Sequence, residues 1–306
     1  MREGERANMW PLRSMLYVPA HRRDWVTKAI RSAPDSVVLD LEDSVPPANK
    51  PAARALLQEE IAELKAAGIA PFVRVNAIGE GADVDVAAAM CAGLAGVKLP
   101  KTGTPEQIQQ LHDLLSYHEG RCGVPMGQVD ILPIPETTEG LYRMYELAKA
   151  SPRVKALCGA ISGEVGGDIA RAFGLRPSKG GLEQLYLASK TVLDSRAGGA
   201  PYPMAALFGM DMNDLALVEQ MIQRVKEIGF SGAIVMHPAH VAIANRLLRP
   251  SAEEVAYFQG MLDAFKEAEA KGIAAISYKG AMVDYAMLPV AREVVAEAAR
   301  LAARGA

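Results

Sequence analysis

The sequence predicts a (β/α)8 TIM barrel followed by a C-terminal helical extension, and three observations predict it. Eight short apolar, β-branched runs recur along the chain. Amphipathic patterns of helical period separate them, an alternation that favours a parallel sheet. Eight such units within 306 residues suit a closed barrel, which typically takes about 250 residues.

The runs fall at residues 15–19 (MLYVP), 37–41 (VVLDL), 72–76 (FVRVN), 96–100 (GVKLP), 130–135 (DILPIP), 156–162 (ALCGAIS), 204–208 (MAALF) and 233–237 (AIVMH). They are continuous rather than alternating, as strands covered on both faces should be. Asn49-Lys50-Pro51 opens a helix with Ala53, Leu56, Leu57, Ile61 and Leu64 on one face, and Gly68 closes it. Thr104-Pro105-Glu106-Gln107 is a capping box with proline at the first helical position, followed by Ile108, Leu111 and Leu115. Strand seven follows a long polar and helical stretch, residues 177–199.

The chain continues for about 70 residues after strand eight, more than one barrel helix needs. The expected division is therefore a barrel over 1–248 and an extension over 249–306. Ser251-Ala252-Glu253-Glu254 is a second capping box, opening a helix with Val255, Phe258, Met261, Leu262 and Phe265 on one face and an end near Gly272. A linker, SYKGAMVDYAM, leads to a last helix carrying Val290, Val294, Ala298 and Leu301. These apolar faces must cover either the chain's own barrel or a neighbouring subunit.

Composition removes several function classes. With 33 Lys+Arg against 36 Asp+Glu, the chain lacks the basic surface that nucleic-acid binding needs. Three scattered cysteines, Cys91, Cys122 and Cys158, make neither a disulfide framework nor a zinc site. No apolar run approaches the roughly 20 residues of a membrane helix. The opening MREGERANMWPLR has no signal-peptide core, so a cytoplasmic location is expected.

Active sites of such barrels lie at the C-terminal ends of the strands. The polar residues there are Asp40, Glu42 and Asp43 after strand two, Arg74 and Asn76 in strand three, Lys101 after strand four, Glu136 after strand five, Glu164 and Asp168 after strand six, and His237 closing strand eight. This is a group of carboxylates around a few cations. Glu136 and Asp168 suit a hard divalent ion such as Mg2+, which takes one or two protein carboxylates plus water and substrate oxygens. Arg74 could hold a carboxylate or a developing enolate oxygen. From the residues alone this is a metal-assisted lyase or hydrolase acting on an anionic substrate. Each has a plainer reading too: Glu136 as a helix-start acid, Asp168 as a helix cap, Arg74 as a structural partner of Asp40 or Glu42. The same holds for His237 as the closing residue of its strand, and for Asp43, Lys50 and Arg54 as helix-start ion pairs.

In order along the chain stand Arg13-Ser14-Met15-Leu16-Tyr17-Val18-Pro19, Asp40-Leu41-Glu42-Asp43-Ser44-Val45 with Lys50 and Arg54, Arg74-Val75-Asn76, Pro100-Lys101, Glu136-Thr137, Asp168, His237-Pro238 and Gly280-Ala281-Met282-Val283-Asp284. This ordered set resembles the citrate lyase β subunits and the malyl-CoA and citramalyl-CoA lyases, the CoA-ester lyase branch of the HpcH/HpaI aldolases. The resemblance implies a TIM barrel forming homotrimers or homohexamers. It implies Mg2+ (or Mn2+) held by Glu136 and Asp168, with Arg74 contacting the 2-oxo acid. It also implies an acid/base aspartate, Asp284, supplied by a neighbouring subunit. The implied reaction is reversible cleavage of a 3-hydroxy-3-carboxyacyl-CoA into an acyl-CoA and a 2-oxo acid. Asp40, Glu42, Lys101 and His237 are further candidates for substrate contact, and Arg13, Lys28, Arg22 and Arg23 for the CoA phosphates.

The sequence departs from the family pattern at Ser162-Gly163-Glu164-Val165-Gly166-Gly167-Asp168, where the glycine is shifted and Glu164 is an additional candidate ligand, and at His237-Pro238-Ala239-His240. A 2-oxo-acid aldolase working without CoA, a thioesterase on the same esters, and a non-catalytic CoA- or acyl-carrier-binding subunit are the alternatives.

Overall fold

The computed structural model describes residues 9–303. The first eight residues, part of the stretch read above for a signal peptide, lie outside the described residues, as do 304–306. The chain divides into two compact units, Met1–Leu248 and Arg249–Ala306.

The first unit runs β1 (Ser14–Pro19), α1 (Arg23–Arg31), β2 (Ser36–Asp40), α2 (Lys50–Ala66), β3 (Ala70–Arg74), α3 (Ala82–Ala89), β4 (Gly96–Leu99), α4 (Pro105–Cys122) and β5 (Asp130–Pro133). It continues with α5 (Thr138–Tyr142), α6 (Met144–Lys149), β6 (Cys158–Ser162), α7 (Asp168–Phe173), α8 (Leu185–Ala197), β7 (Met204–Phe208), α9 (Leu215–Ile228), β8 (Gly232–Val235) and α10 (Pro238–Leu247). The strands form one sheet in the order β5-β4-β3-β2-β1-β8-β7-β6, with every ladder parallel. All eight expected strands are present. Among the described residues the only pairing between β5 and β6 is a bridge from Ile131 to Val154, four residues before β6 begins. The barrel is therefore joined at the N-terminal side of this seam, and the ladder stops short of the C-terminal side.

The helix-end signals act as their chemistry requires. Gln107 Oε1 accepts from the Thr104 N–H at 3.1 Å, closing the capping box of α4. Pro51 starts α2, and Gly68 ends it in the left-handed region, φ 77°.

The barrel holds two apolar layers. The outer faces of the strands bury Val37, Leu39, Val73, Val97 and Ile131 against the helices. The interior is filled by Met15, Val38, Phe72, Leu132, Met204 and Ile234, over which Trp10 stacks on Tyr202. Gly96 of β4 faces this interior because the Phe72 ring occupies its side-chain space: a Cβ there would lie 2.4 Å from Cε1. Side chains alternate along a strand, so Lys98, two residues on, also points inward and lies above the apolar plug.

The second unit is α11 (Ala252–Glu269), β9 (Ala275–Tyr278), β10 (Ala281–Asp284) and α12 (Leu288–Ala303). The capping box at Ser251 forms, with the Glu254 N–H donating to Ser251 Oγ at 3.0 Å. The stretch expected to be a linker is instead an antiparallel hairpin. Its two-residue turn, Lys279-Gly280, takes positive φ at both positions (46° and 87°), the geometry that matches strand twist. Met261, Phe265, Val283, Leu288 and Ala291 form this unit's own core.

Candidate active site

A cavity of about 420 Å³ lies at the C-terminal ends of the strands. Asp40, Asp43, Arg74, Glu136 and Asp168 line it, together with Tyr17, Lys98 and Cys158. The sequence therefore brings residues from β1, β2, β3, β4, β5 and β6 to one place.

Arg74 ends β3 beside Asp40, the last residue of β2 and its partner in the strand register. Its Nε and Nη2 donate to the two Asp40 oxygens at 2.6 and 2.7 Å. Its Nη1 lies 2.7 Å from Glu42 Oε2. Burial would push the Asp40 carboxyl up, but Arg74 and the Ser44 hydroxyl outweigh it and hold it below its ordinary value. Of five guanidinium donors, three face Asp40 and Glu42, which leaves two for a ligand.

Glu136 is supported from β4. Lys101 adopts the left-handed region, φ 50°, an uncommon backbone for a side chain this long. In that conformation its N–H donates to Glu136 Oε1 at 2.9 Å, while its Nζ reaches Glu42 Oε1 at 2.7 Å. Burial raises the Glu136 carboxyl to about 7, with the Lys101 N–H opposing and Glu42 adding to the rise. Among the described residues no cation closes an ion pair with Glu136.

Asp168 is the first residue of α7, with Gly167 at the cap position. The preceding loop crosses close to the end of β7. Gly209 sits at φ 73°, and a Cβ there would come within 2.0 Å of the Val165 carbonyl. Only glycine fits that crossing. Asp168 Oδ1 accepts from the exposed Arg171 at 2.6 Å, and the rest of the carboxylate faces the cavity. Glu164, the alternative ligand, is exposed on this loop and does not line the cavity.

Among the described residues no three His, Cys, Asp or Glu side chains gather closely enough to hold a metal by themselves. The set fits a hard ion that takes two carboxylates and completes its shell with water and substrate oxygens. A half-buried carboxylate without a cation partner among the described residues, Glu136, is what such an ion would neutralise. A zinc site of three or four protein ligands does not fit.

Several candidates of the first unit lie elsewhere. Arg13, just before β1, is buried and closed on Asp35 by hydrogen bonds of 3.0 and 2.7 Å, at the opposite end of the strands from the cavity. Lys28 is an exposed ion-pair partner of Asp24 on α1. His237 caps α10, its Nδ1 accepting from the Ala239 N–H at 3.2 Å. Arg54 binds Asp85 at 2.6 Å, and Asp85 in turn accepts from the Asn76 N–H at 2.7 Å, so this motif braces the end of β3. Asp284 ends β10 in the second unit, its Oδ1 accepting from the Ala286 N–H at 2.9 Å.

Sequence reasoning missed Lys98, Tyr17 and Cys158. The signal for Lys98 was available: a lysine in the middle of the apolar run GVKLP.

The family model of the HpcH/HpaI aldolases and citrate lyases matches residues 13–238. A citrate lyase subunit beta-like protein of Deinococcus radiodurans is 33% identical over 94% of this chain and 98% of its own length. The human mitochondrial citramalyl-CoA lyase is 30% identical over 93% of this chain and 85% of its own. Among solved structures, CitE of Mycobacterium tuberculosis in complex with magnesium, acetoacetate and coenzyme A has a TM-score of 0.70 at 25% identity, covering 94% of this chain and 97% of that one.

Proposed function

The chain belongs to the HpcH/HpaI aldolase/citrate lyase family, and from that premise we propose that it is a Mg2+-dependent carbon–carbon lyase. Its substrate on this reading is a 3-hydroxy-3-carboxyacyl-CoA, cleaved reversibly into an acyl-CoA and a 2-oxo acid. One observation carries the reading: two carboxylates that follow the seam strands, Glu136 and Asp168, share a cavity with a guanidinium fixed by Asp40. The relatives' names and the magnesium in the solved relative support it.

Glu136 and Asp168 would hold the ion, which when bound supplies Lewis acidity to the substrate's hydroxyl and carboxylate oxygens. Asp40 fixes the plane of Arg74, and the two remaining Arg74 donors stabilise the oxygen that carries charge as the bond breaks. Asp284 removes the hydroxyl proton. The carbon–carbon electron pair then passes to the thioester, and the same carboxyl returns the proton to the enolate carbon. Asp284 comes from a neighbouring subunit on this reading, and the protein is a homotrimer or homohexamer. The apolar lining of Ile134, Phe208 and Met236 keeps water from the enolate. Trp25, which lines the cavity with 40% of its surface exposed and carries Arg22 4.4 Å above its ring, is offered as the CoA contact.

Calorimetric titration with CoA, with and without Mg2+ and pyruvate, tests this. Binding of CoA that strengthens when Mg2+ and the oxo acid are present is the expected result. Binding of the oxo acid without any binding of CoA would replace the reading with a free-acid aldolase.

A further inference from the structure

Lys98 is a charged side chain in a layer that barrels normally fill with branched apolar residues. It is 1% exposed. Its Nζ lies 3.8 Å from Met15 Sδ and 5.1 Å from the centre of the Tyr17 ring, and it faces the Cys158 sulfur. Both sulfurs are weak acceptors. Among the described residues no carboxylate forms an ion pair with Lys98. The nearest fixed charge along the strand register is a like one, since Arg74 is the partner of Lys98 between β3 and β4. A buried ammonium facing sulfur and a ring is costly to fold unless an anion joins it. The fold nevertheless spends an inward position of β4 on it, at the wall of the cavity.

The position of that wall defines the anion. Glu136, Asp168 and Arg74 line the same cavity and on the reading above hold the ion and the oxygens of the reacting acid. Lys98 stands level with Arg74 on the next strand, over the apolar plug at Met15, so a substituent on the oxo carbon that enters this side of the cavity meets it. A hydrogen or a methyl group there would leave the ammonium unpaired. A second carboxylate would close it.

We propose that Lys98 seats a second carboxylate of the substrate, so that this cavity selects a 2-oxo dicarboxylate over the corresponding monocarboxylate. This rests on the lyase reading above and narrows it, making Lys98 a specificity-determining residue. Tyr17 and Cys158 are its neighbours rather than ligands: the ring and the thiol keep water from the ammonium and leave its remaining donor for the substrate. Burial disfavours the charged form of both groups, lowering the lysine and raising the thiol from their ordinary values.

The test is direct binding of pyruvate and of freshly prepared oxaloacetate to the intact protein with Mg2+, measured by calorimetry with no CoA present. The wild type should bind the dicarboxylate about 10- to 100-fold more tightly, the range of a hydrogen bond to a charged group. Lys98→Met, which keeps the volume and removes the charge, should erase that ratio, weakening the dicarboxylate far more than pyruvate. Lys98→Arg should retain a preference for the dicarboxylate. Because Lys98→Met removes an unpaired buried charge, its melting temperature should be no lower than that of the wild type, which guards against misreading an unfolded variant. Equal wild-type affinity for the two acids, or a ratio unchanged in Lys98→Met, overturns the proposal alone. Failure of the wild type to bind either acid overturns the lyase reading and the proposal with it.

Discussion

Arg74 and Asp40 are joined by two parallel hydrogen bonds, Nε to Oδ1 at 2.6 Å and Nη2 to Oδ2 at 2.7 Å. Asp40 is fully buried, and both residues stand at the ends of adjacent strands in register. The pair bears out the reading of Arg74 as a structural partner of Asp40, and the substrate contact stays a proposal that its place at the cavity supports. The carboxylate orients the guanidinium, and the guanidinium still faces the cavity. An ammonium cannot reproduce the fork. Arg74→Lys should therefore lower kcat by about 10²–10³, the usual loss for one preorganised donor, with the protein still folded. Asp40→Asn should lower kcat as well, because Arg74 loses its positioning partner. Steady-state kinetics with circular dichroism checks both, and a change below threefold in Arg74→Lys would return the arginine to a purely structural role.

The two carboxylates should be separable from the fold. Glu136→Gln and Asp168→Asn should each weaken Mg2+ or Mn2+ binding, measured by titration, while the melting temperature of the metal-free protein stays within a few degrees. A chelator should abolish activity and either ion restore it. Retention of full ion affinity by Asp168→Asn, with loss in Glu164→Gln, would reassign the second ligand.

Glu60 gives a pH dependence unrelated to the site. It lies on α2 with no exposed surface, and neither oxygen has a hydrogen-bond partner. Burial raises its carboxyl to about 7, with Arg23 opposing. In the unfolded chain it ionises near pH 4.5. Between that value and 7 the unfolded state has released the proton and the folded state still holds it, so stability falls as pH rises through this window and levels off above it. The loss reaches at most about 3 kcal/mol. Thermal melts of wild type and Glu60→Gln from pH 4 to 8 should show the variant gaining on the wild type through the window. A difference independent of pH would contradict the account.

For Asp284 the arrangement in trans predicts complementation. Asp284→Asn and Glu136→Gln are each prepared as inactive oligomers, then dissociated, mixed and reassembled. Some mixed sites then combine an intact Glu136 with an intact Asp284, and part of the activity should return. Confirmed subunit exchange without recovered activity would overturn the assignment.

The barrel was legible because strands covered on both faces write themselves as apolar runs, and helix ends as Thr104 and Ser251 capping boxes. The placing of Glu136, Asp168 and Arg74 at the cavity was legible because the first two follow such a run and the third is the charged residue within one. The same continuity hid Lys98: in an all-apolar run the inward and outward positions look alike, and only the packing of Phe72 over Gly96 reveals the phase. The hairpin at Asp284 was hidden by its four-residue strands, and Lys279-Gly280 was the overlooked turn signal. Arg13 misled because its partner, Asp35, is distant in sequence and meets it only when β1 and β2 pair. The open seam between β5 and β6 leaves no trace in composition or periodicity.

Product analysis by mass spectrometry tests the lyase reading most directly. The purified protein, with Mg2+, is offered a panel of 3-hydroxy-3-carboxyacyl-CoA esters, and each reaction is resolved into CoA species and free acids. Carbon–carbon cleavage releases a shortened acyl-CoA together with one equivalent of 2-oxo acid, and Glu136→Gln should release neither. Free CoA thiol together with the intact hydroxy acid would show thioester hydrolysis instead, and would contradict the account.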